Sequence, residues 1–270
     1  MKKFFALALS LVMALSLAAC GEESDKDKQD GQEEQNDSAV VETVEAGKLI
    51  MSTNAQFPPY EMVADNGDLE GIDIEVAGLI AEKLGLELVV DDMDFDAALM
   101  AVQNGKSDIV MAGVTVNPTR EKVMDFTNSY ATGVQVVIVK EGSDVTLDNM
   151  GEKMIGVQRG TTGHIYCSDT VENGGFGEDH VTPYDDGAVA VQALVNGQVD
   201  CVVIDNAPAQ SYVEANEGLE ILETEFANED YAIGVAKGNS ELQTAINDVL
   251  KELDASGDLQ KVVDHYIPAE

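Results

Sequence analysis

Residues 73–93 read DIEVAGLIAEKLGLELVVDDM, and this stretch decides the fold class. Its first part, residues 73–85, places apolar side chains on one face of a helix that ends at Gly85. Its second part, residues 86–93, is a short apolar run that predicts a strand. The run KLIMSTN (residues 48–54) comes before both and predicts another strand. The order strand, helix, strand is typical of α/β proteins.

The same alternation continues along the chain and restarts once after SYATGVQVVIVK (residues 129–140). It therefore predicts two α/β units, with junctions near Ala131–Val134 and Thr224–Asp230. The predicted segments are helix DAALMAVQNG (96–105), strand DIVMAG (108–113), strand KMIGVQ (153–158), helix TTGHIYCSD (161–169), helix GAVAVQALVNG (187–197), strand DCVVID (200–205), helix APAQSYVEAN (207–216), extended YAIGVAK (231–237) and two helices in 240–266 that break at Gly257.

The N-terminal residues are typical of an export signal. A basic start is followed by a short apolar run and by small residues before Cys20. Residues 17–20, LAAC, resemble a bacterial lipobox, in which the cysteine receives diacylglycerol. The alternative is that Cys20 is merely the last residue of an ordinary signal peptide. We expect a signal peptide over residues 1–19 and an exported protein that is lipid-anchored through Cys20 to the outer face of the membrane or in the periplasm.

The next segment, residues 20–46, is strongly acidic and has few aromatic or branched apolar residues before Val40. Such a composition buries too little apolar surface to fold, so we expect a disordered tether. The whole chain has 51 Asp and Glu against 15 Lys and Arg, a formal net charge of −36. This charge repels nucleic acid and anionic membranes, so we expect no nucleic-acid partner and membrane attachment only through the lipid.

Polar residues stand where the predicted strands end. Arg120 follows DIVMAGVT, which ends at Thr115; Asp205 ends DCVVID; and Gly160–Thr162 begin a helix after KMIGVQ. Ligands of α/β sheets bind at these carboxyl ends. An arginine offers paired donors to a carboxylate, and an aspartate accepts from an ammonium, so the set suits the zwitterionic head of an α-amino acid. The alternative is that Arg120 pairs with Asp125 and Asp205 only caps the following helix.

Five segments together resemble one protein family. They are TNAQFPPYE, GIDIEVAGLIAEKLG, DFDAALMAVQNGKSDIVMAGVTVNPTREKVMDFTNSY, GVQRGTTG and VDCVVIDNAPA. Their order and spacing resemble the polar amino-acid-binding proteins of ABC importers, the bacterial extracellular solute-binding proteins of family 3. The resemblance implies an α/β fold of the two-lobed type II periplasmic-binding class, each lobe a sheet flanked by helices and joined by two crossover segments. It places lobe 1 at residues 47–132 and 229–270, and lobe 2 at 133–228.

The resemblance also implies roles for individual residues. Arg120 would bind the ligand α-carboxylate with the backbone of Thr162, beside Thr161 at the start of the helix. The α-ammonium would be received by Asp205, by the carbonyl of Gly113 and by the hydroxyl of Thr115.

The ligand side chain would lie between Phe57 and Phe95. Asn54 stands where similar binders of basic amino acids carry an acid, and its amide suits a neutral polar side chain. Arg159 would disfavour a cationic ligand or simply point to solvent. The sequence therefore favours a neutral polar amino acid.

We accordingly expect a monomeric, non-enzymatic receptor that captures a free amino acid by cleft closure and delivers it to the transmembrane subunits of an ABC permease. The rival hypothesis is an enzyme on the same scaffold, such as a cyclohexadienyl or arogenate dehydratase, for which Asn54 and Glu61 are the nearby candidates. Cys167 and Cys201 could form a disulfide or be small buried residues. The histidines lack metal-ligand spacing, so we expect no metal and no cofactor.

Overall fold

The computed structural model describes residues 41–223 and 226–267, which form twelve strands and seven α-helices. The strands are β1 (Lys48–Thr53), β2 (Gln56–Phe57), β3 (Glu61–Val63), β4 (Leu69–Glu70), β5 (Glu87–Asp92), β6 (Ile109–Val110), β7 (Met124–Lys140), β8 (Ile155–Gln158), β9 (Val181–Tyr184), β10 (Cys201–Asp205), β11 (Leu219–Ile221) and β12 (Ala227–Ala236). The helices are α1 (Ile72–Leu84), α2 (Phe95–Gln103), α3 (Thr162–Ser168), α4 (Gly187–Val195), α5 (Asn206–Ala215), α6 (Ser240–Ser256) and α7 (Asp258–Tyr266).

One mixed sheet runs through the fold in the order β5-β1-β6-β12-β7-β10-β8-β9, with β11 also paired to β7. Strands β5, β1 and β6 are parallel to one another, and so are β10, β8 and β9. Strands β7 and β12 lie between these two parallel groups and pair with each other in antiparallel fashion. The fold is therefore α/β with two lobes, as the sequence predicts.

Each lobe has helices on both faces of its part of the sheet. In the first lobe, α1, α6 and α7 cover one face around a buried cluster that includes Leu49, Ile80 and Leu253, while α2 covers the other. In the second lobe, α4 and α5 cover one face and α3 the other. Burying one such aliphatic side chain contributes about 1.5–3 kcal/mol, so these clusters hold the lobes together.

Two strands contain the segments that the sequence predicts as junctions. Ala131–Val134 lie inside β7, and residues 227–230 begin β12, while Thr224 lies outside the described residues. The β7–β12 pairing shifts register between Tyr231 and Gly234. Such an irregularity increases the local twist of a strand.

Several sequence predictions differ from the structure in extent. The predicted strand at 108–113 is confined to β6. Arg120 begins a short 3₁₀ helix, Arg120–Lys122. The small sheet β2-β3-β4 was not predicted, because its strands are only two or three residues long.

The predictions for the N-terminus fall largely outside the described residues. These are the signal peptide at 1–19, lipidation of Cys20 and most of the tether. The tether was expected to extend to residue 46, but Val41 packs against the first-lobe core and the N–H of Val44 donates to Asp108, 2.7 Å away. The folded body therefore begins no later than Val41. Within residues 41–223 and 226–267, no helix is long and apolar enough to cross a membrane.

Candidate functional site

A narrow cavity of about 20 Å³ lies between the two lobes, where the carboxyl ends of β1, β6, β8 and β10 meet. The structure brings all nine residues of the predicted ligand site to its wall. They are Asn54, Phe57, Phe95, Gly113, Thr115, Arg120, Thr161, Thr162 and Asp205.

Arg120 is held in a fixed position at one side of the cavity. Its side chain is 5% exposed, and its Nη1 and Nη2 donate to the carbonyls of Thr115 (2.8 Å) and Gly160 (3.1 Å). Its guanidinium lies 5.2 Å from the centre of the Phe95 ring. A guanidinium has five N–H donors, so others remain for a ligand carboxylate. Burial lowers the pKa of Arg120 to about 10, a value at which it stays charged at neutral pH.

Asp205 ends β10 and is 2% exposed. One carboxylate oxygen caps α5 by accepting from the N–H of Ala207 (3.2 Å), and the other accepts from the hydroxyl of Tyr231. The capping role foreseen as an alternative is therefore present, and the same side chain also lines the cavity. Arg120, in contrast, does not pair with Asp125, which instead binds Lys237 at 2.6 Å. Burial raises the pKa of Asp205 to about 7.

Of the remaining residues of the predicted head-group site, Gly113 and Thr115 lie in the loop after β6, and Thr161 and Thr162 lie at the start of α3. The N–H of Gly113 donates to buried Asp73 (3.1 Å), and the hydroxyl of Thr162 donates to that of Thr115 (3.0 Å). Gly113 has φ +53°, and a Cβ atom there would lie 2.8 Å from the Phe57 ring, so this position requires glycine. The loop and the ring are thus in direct contact at the cavity wall.

Asn54 lines the cavity, but its amide is already engaged. Its Nδ2 donates to the carbonyl of Met93 (3.0 Å), and its Oδ1 accepts from Gln158 (2.9 Å). Arg159 does not line the cavity; its side chain is about half exposed and lies 3.5 Å from Asp185. Arg159 is therefore not placed to contact a ligand in this cavity, whereas Asn54 keeps a second amide N–H for one.

Hydrogen bonds join the two lobes across the cleft. They include Arg120 to Gly160, Thr162 to Thr115 and Gln158 to Asn54, together with the Tyr212 hydroxyl, which donates to the carbonyl of Gln56 (2.8 Å). Each of these lies at or beside the cavity. These bonds can form only while the two lobes lie against each other at the cavity.

Two buried glutamates also line the cavity, and sequence reasoning did not assign either to the ligand site. Glu61 is 0% exposed; no N–H or hydroxyl group of the described residues donates to it, and its carboxyl group shares a hydrogen bond with that of Asp73. Burial, and then the charge of Asp73, raise its pKa well above the usual value. Glu229, on β12, accepts from Gln135 (2.9 Å), and burial raises its pKa as well. The order FPPYE placed Glu61 near Phe57, but no local pattern marked Glu229.

The two cysteines of the second lobe are buried and unpaired. Cys167 and Cys201 are both buried in one second-lobe cluster, and both thiols are free in the structure. Burial raises the pKa of each to about 12, so neither is a reactive thiolate. Within the described part of the chain, no group of three or more His, Cys, Asp and Glu side chains is arranged to hold a metal ion.

Comparisons with known proteins agree with this geometry. The sequence profile of the bacterial extracellular solute-binding proteins, family 3, matches residues 49–269. A probable histidine-binding protein of Neisseria gonorrhoeae is 30% identical, over 100% of this chain and 97% of its own length. The arginine-binding extracellular protein ArtP of Bacillus subtilis is 28% identical over the full length of both chains.

Solved structures give the same result. An ancestral arginine-binding protein is 38% identical to this chain, both in its arginine-bound structure (TM-score 0.76, covering 82% of this chain and 98% of its own) and in its glutamine-bound structure (TM-score 0.75, covering 83% and 99%). The match of the family profile over most of the chain, supported by these structures, identifies the family. The chain belongs to the bacterial extracellular solute-binding proteins of family 3.

Proposed function

We propose that this protein captures a free amino acid between its lobes and delivers it to the transmembrane subunits of an ABC importer. One observation carries the proposal: a buried arginine and a buried aspartate, Arg120 and Asp205, line the same small cavity from opposite lobes. A guanidinium matches a carboxylate and a carboxylate matches an ammonium, so the pair suits both charges of an amino-acid head. Relatives named for binding histidine and arginine support this assignment.

Binding and closure are coupled in this proposal. We place lobe 1 at residues 47–132 and 229–270 and lobe 2 at 133–228, so that β7 and β12 cross between them. A ligand that contacts Arg120 on one lobe and Asp205 on the other is fully bound only in the closed form. Such a ligand shifts the population from open to closed molecules, and the permease would recognise the closed form.

For the ligand side chain, we propose a cationic group rather than the neutral polar group that the sequence favoured. Glu61 is buried and faces the cavity, and its raised pKa favours the protonated form, so a guanidinium or ammonium beside it would displace that proton and pair with the resulting carboxylate. The two residues that argued for a neutral ligand have other contacts, Asn54 with Met93 and Gln158, and Arg159 with Asp185. A neutral ligand such as glutamine is the second candidate, because the ancestral relative was also solved with glutamine.

A thermal-shift screen of the domain from Val41 onwards against the twenty amino acids, in both stereochemistries, and cystine tests the proposal. A saturating ligand raises the apparent stability by about 3–4 kcal/mol at 100 to 1,000 times its Kd. We expect the largest shifts with arginine, lysine or histidine. No shift with any amino acid would contradict an amino-acid receptor, and a shift with glutamine alone would contradict the cationic side chain.

Glu61→Gln is expected to weaken arginine binding about 30-fold while changing glutamine binding less than about threefold, because it removes a buried counter-charge and keeps the shape. Isothermal titration calorimetry with both ligands measures the two changes. Glu70→Gln is the matched control, since Glu70 lies on the same small sheet but is exposed. If Glu61→Gln weakens the binding of arginine and of glutamine by the same factor, then Glu61 does not contact a cationic group.

Ligand affinity should also depend on pH through Asp205. Its pKa of about 7 means that it is mostly protonated in mildly acidic solution, and an ammonium must displace that proton. Affinity is therefore expected to fall about tenfold for each pH unit below about 7. The folding stability of the ligand-free protein changes with pH in the opposite direction. A raised carboxyl pKa stabilises the folded state at low pH, and that stability is lost as pH rises towards 7. An affinity that stays constant between pH 5 and 8 would contradict the assignment.

We also propose that the mature chain is a monomer anchored through a lipid on Cys20, which the LAAC pattern supports. Cys20→Ala should release the protein from the membrane fraction of an expressing bacterium into the soluble fraction. Retention of that variant in the membrane would contradict lipidation.

The rival enzymatic function has its own test. Glu61 is a titratable group in the cavity, which a dehydratase would need. Incubation with arogenate and prephenate should give no product if the protein only binds its ligand, and turnover that is lost in Glu61→Gln would favour the enzyme.

A further inference from the structure

Glu229 occupies an unusual position for a charged residue. It lies on β12, one of the two strands between the lobes, and its side chain lines the cavity at 6% exposure. One oxygen accepts from Gln135, and the other has no hydrogen-bond partner among the described residues. A buried carboxylate left half-satisfied in this way costs stability, so it calls for a functional explanation.

Its charge acts on both halves of the proposed head-group site. Among the charged groups around Arg120, Glu229 has the largest effect on the guanidinium, and it also acts on the carboxyl of Asp205. Burial raises the pKa of Glu229, and the hydrogen bond from the Gln135 amide favours its ionised form. Glu229 is thus an acidic group in the cavity wall, positioned by β12.

Carboxylic acids outnumber basic side chains around the cavity. Among the described residues that line it, Arg120 is the only Lys or Arg, whereas Glu61, Asp205 and Glu229 are all carboxylic acids. An amino-acid head brings one negative and one positive charge, which Arg120 and Asp205 match. Glu61 and Glu229 then remain. A single cationic side chain can contact Glu61 while it is attracted at longer range by Glu229, because charges interact strongly in a site that excludes water.

We propose that Glu229 is a specificity-determining residue that makes the cavity select ligands of net positive charge, acting through its field and without touching the ligand side chain. This inference rests on the proposed function, because it assumes that the amino acid binds in this cavity. It differs from the role of Glu61, which is a direct contact with the cationic group.

The test is the ratio of the Kd for glutamine to the Kd for arginine, measured by calorimetry. Glu229→Gln keeps the size of the side chain and removes its charge, and it is expected to lower this ratio about tenfold. Asp230→Asn is the matched control, because it removes the same charge one residue away on the same strand, where the side chain is exposed. We expect that variant to keep the wild-type ratio. A purely structural defect would weaken the binding of both ligands by the same factor and leave the ratio of their Kd values unchanged.

An unchanged ratio in Glu229→Gln would overturn the inference, even when Glu61→Gln lowers the ratio as the proposed function requires. If Glu229→Gln does not fold, Glu229→Ser is expected to lower the ratio of the two Kd values by the same factor of about ten. An unchanged ratio in Glu229→Ser would also overturn the inference. A wild-type protein that binds no amino acid would overturn the proposed function and this inference together.

Discussion

Arg120→Ala is expected to weaken amino-acid binding about 1,000-fold, because it leaves the ligand α-carboxylate buried without its counter-charge. The guanidinium is already in place: its bonds to Thr115 and Gly160 and its stacking on Phe95 hold it beside the cavity. Little of the binding energy is therefore spent on orienting it. Calorimetry with the amino acid that gives the largest thermal shift measures the loss.

Arg159→Ala is the control for this experiment. It removes the neighbouring arginine of the same cleft, but Arg159 is about half exposed and does not line the cavity. We expect its affinity to stay within about twofold of wild type, as is usual for an exposed ion pair. Near-normal affinity in Arg120→Ala, or an equal loss in both variants, would contradict the carboxylate assignment.

Asp205→Asn is expected to weaken binding about 100-fold or more, because the ligand ammonium loses its buried anion. Asparagine is the sharpest substitution here. Asp205 also caps α5 through Ala207, and asparagine caps a helix about as well as aspartate, so the fold should be retained. Circular dichroism and a thermal melt of the ligand-free variant verify this retention.

Asp186→Asn is the matched control. Asp186 caps α4 by accepting from Val189 (2.7 Å), in the way that Asp205 caps α5, but it does not line the cavity. The same chemical change at that cap should leave ligand affinity unaltered. If Asp205→Asn binds its ligand as tightly as wild type does, then Asp205 serves only as a helix cap.

The fold was predictable because its signals are local. The helical face of 73–85 and the glycines at its end and at 257 mark α1 and the boundary of α6, and the structure has both. The positions of Arg120 and Asp205 were predictable for a similar reason. Each follows an apolar strand, and parallel strands bring their carboxyl ends to one edge of a sheet.

The residues that read the ligand side chain could not be predicted in the same way. Asn54 looked available from its place in the sequence, but Gln158, more than a hundred residues away, occupies its amide oxygen. Glu229 enters the cavity only because β12 pairs with β7 between the lobes. Such long-range contacts leave no periodic pattern in the chain. Ligand selectivity therefore has to be inferred from the three-dimensional arrangement of the cavity, whereas the fold can be predicted from short segments of the sequence.

A crystal structure of the mature domain with its tightest-binding amino acid tests the central claim most directly. We expect the ligand α-carboxylate within hydrogen-bond distance of the Arg120 guanidinium, and its α-ammonium within hydrogen-bond distance of the Asp205 carboxylate, with both lobes closed around it. A ligand bound elsewhere, or bound in this cavity with its head turned away from both residues, would contradict the account.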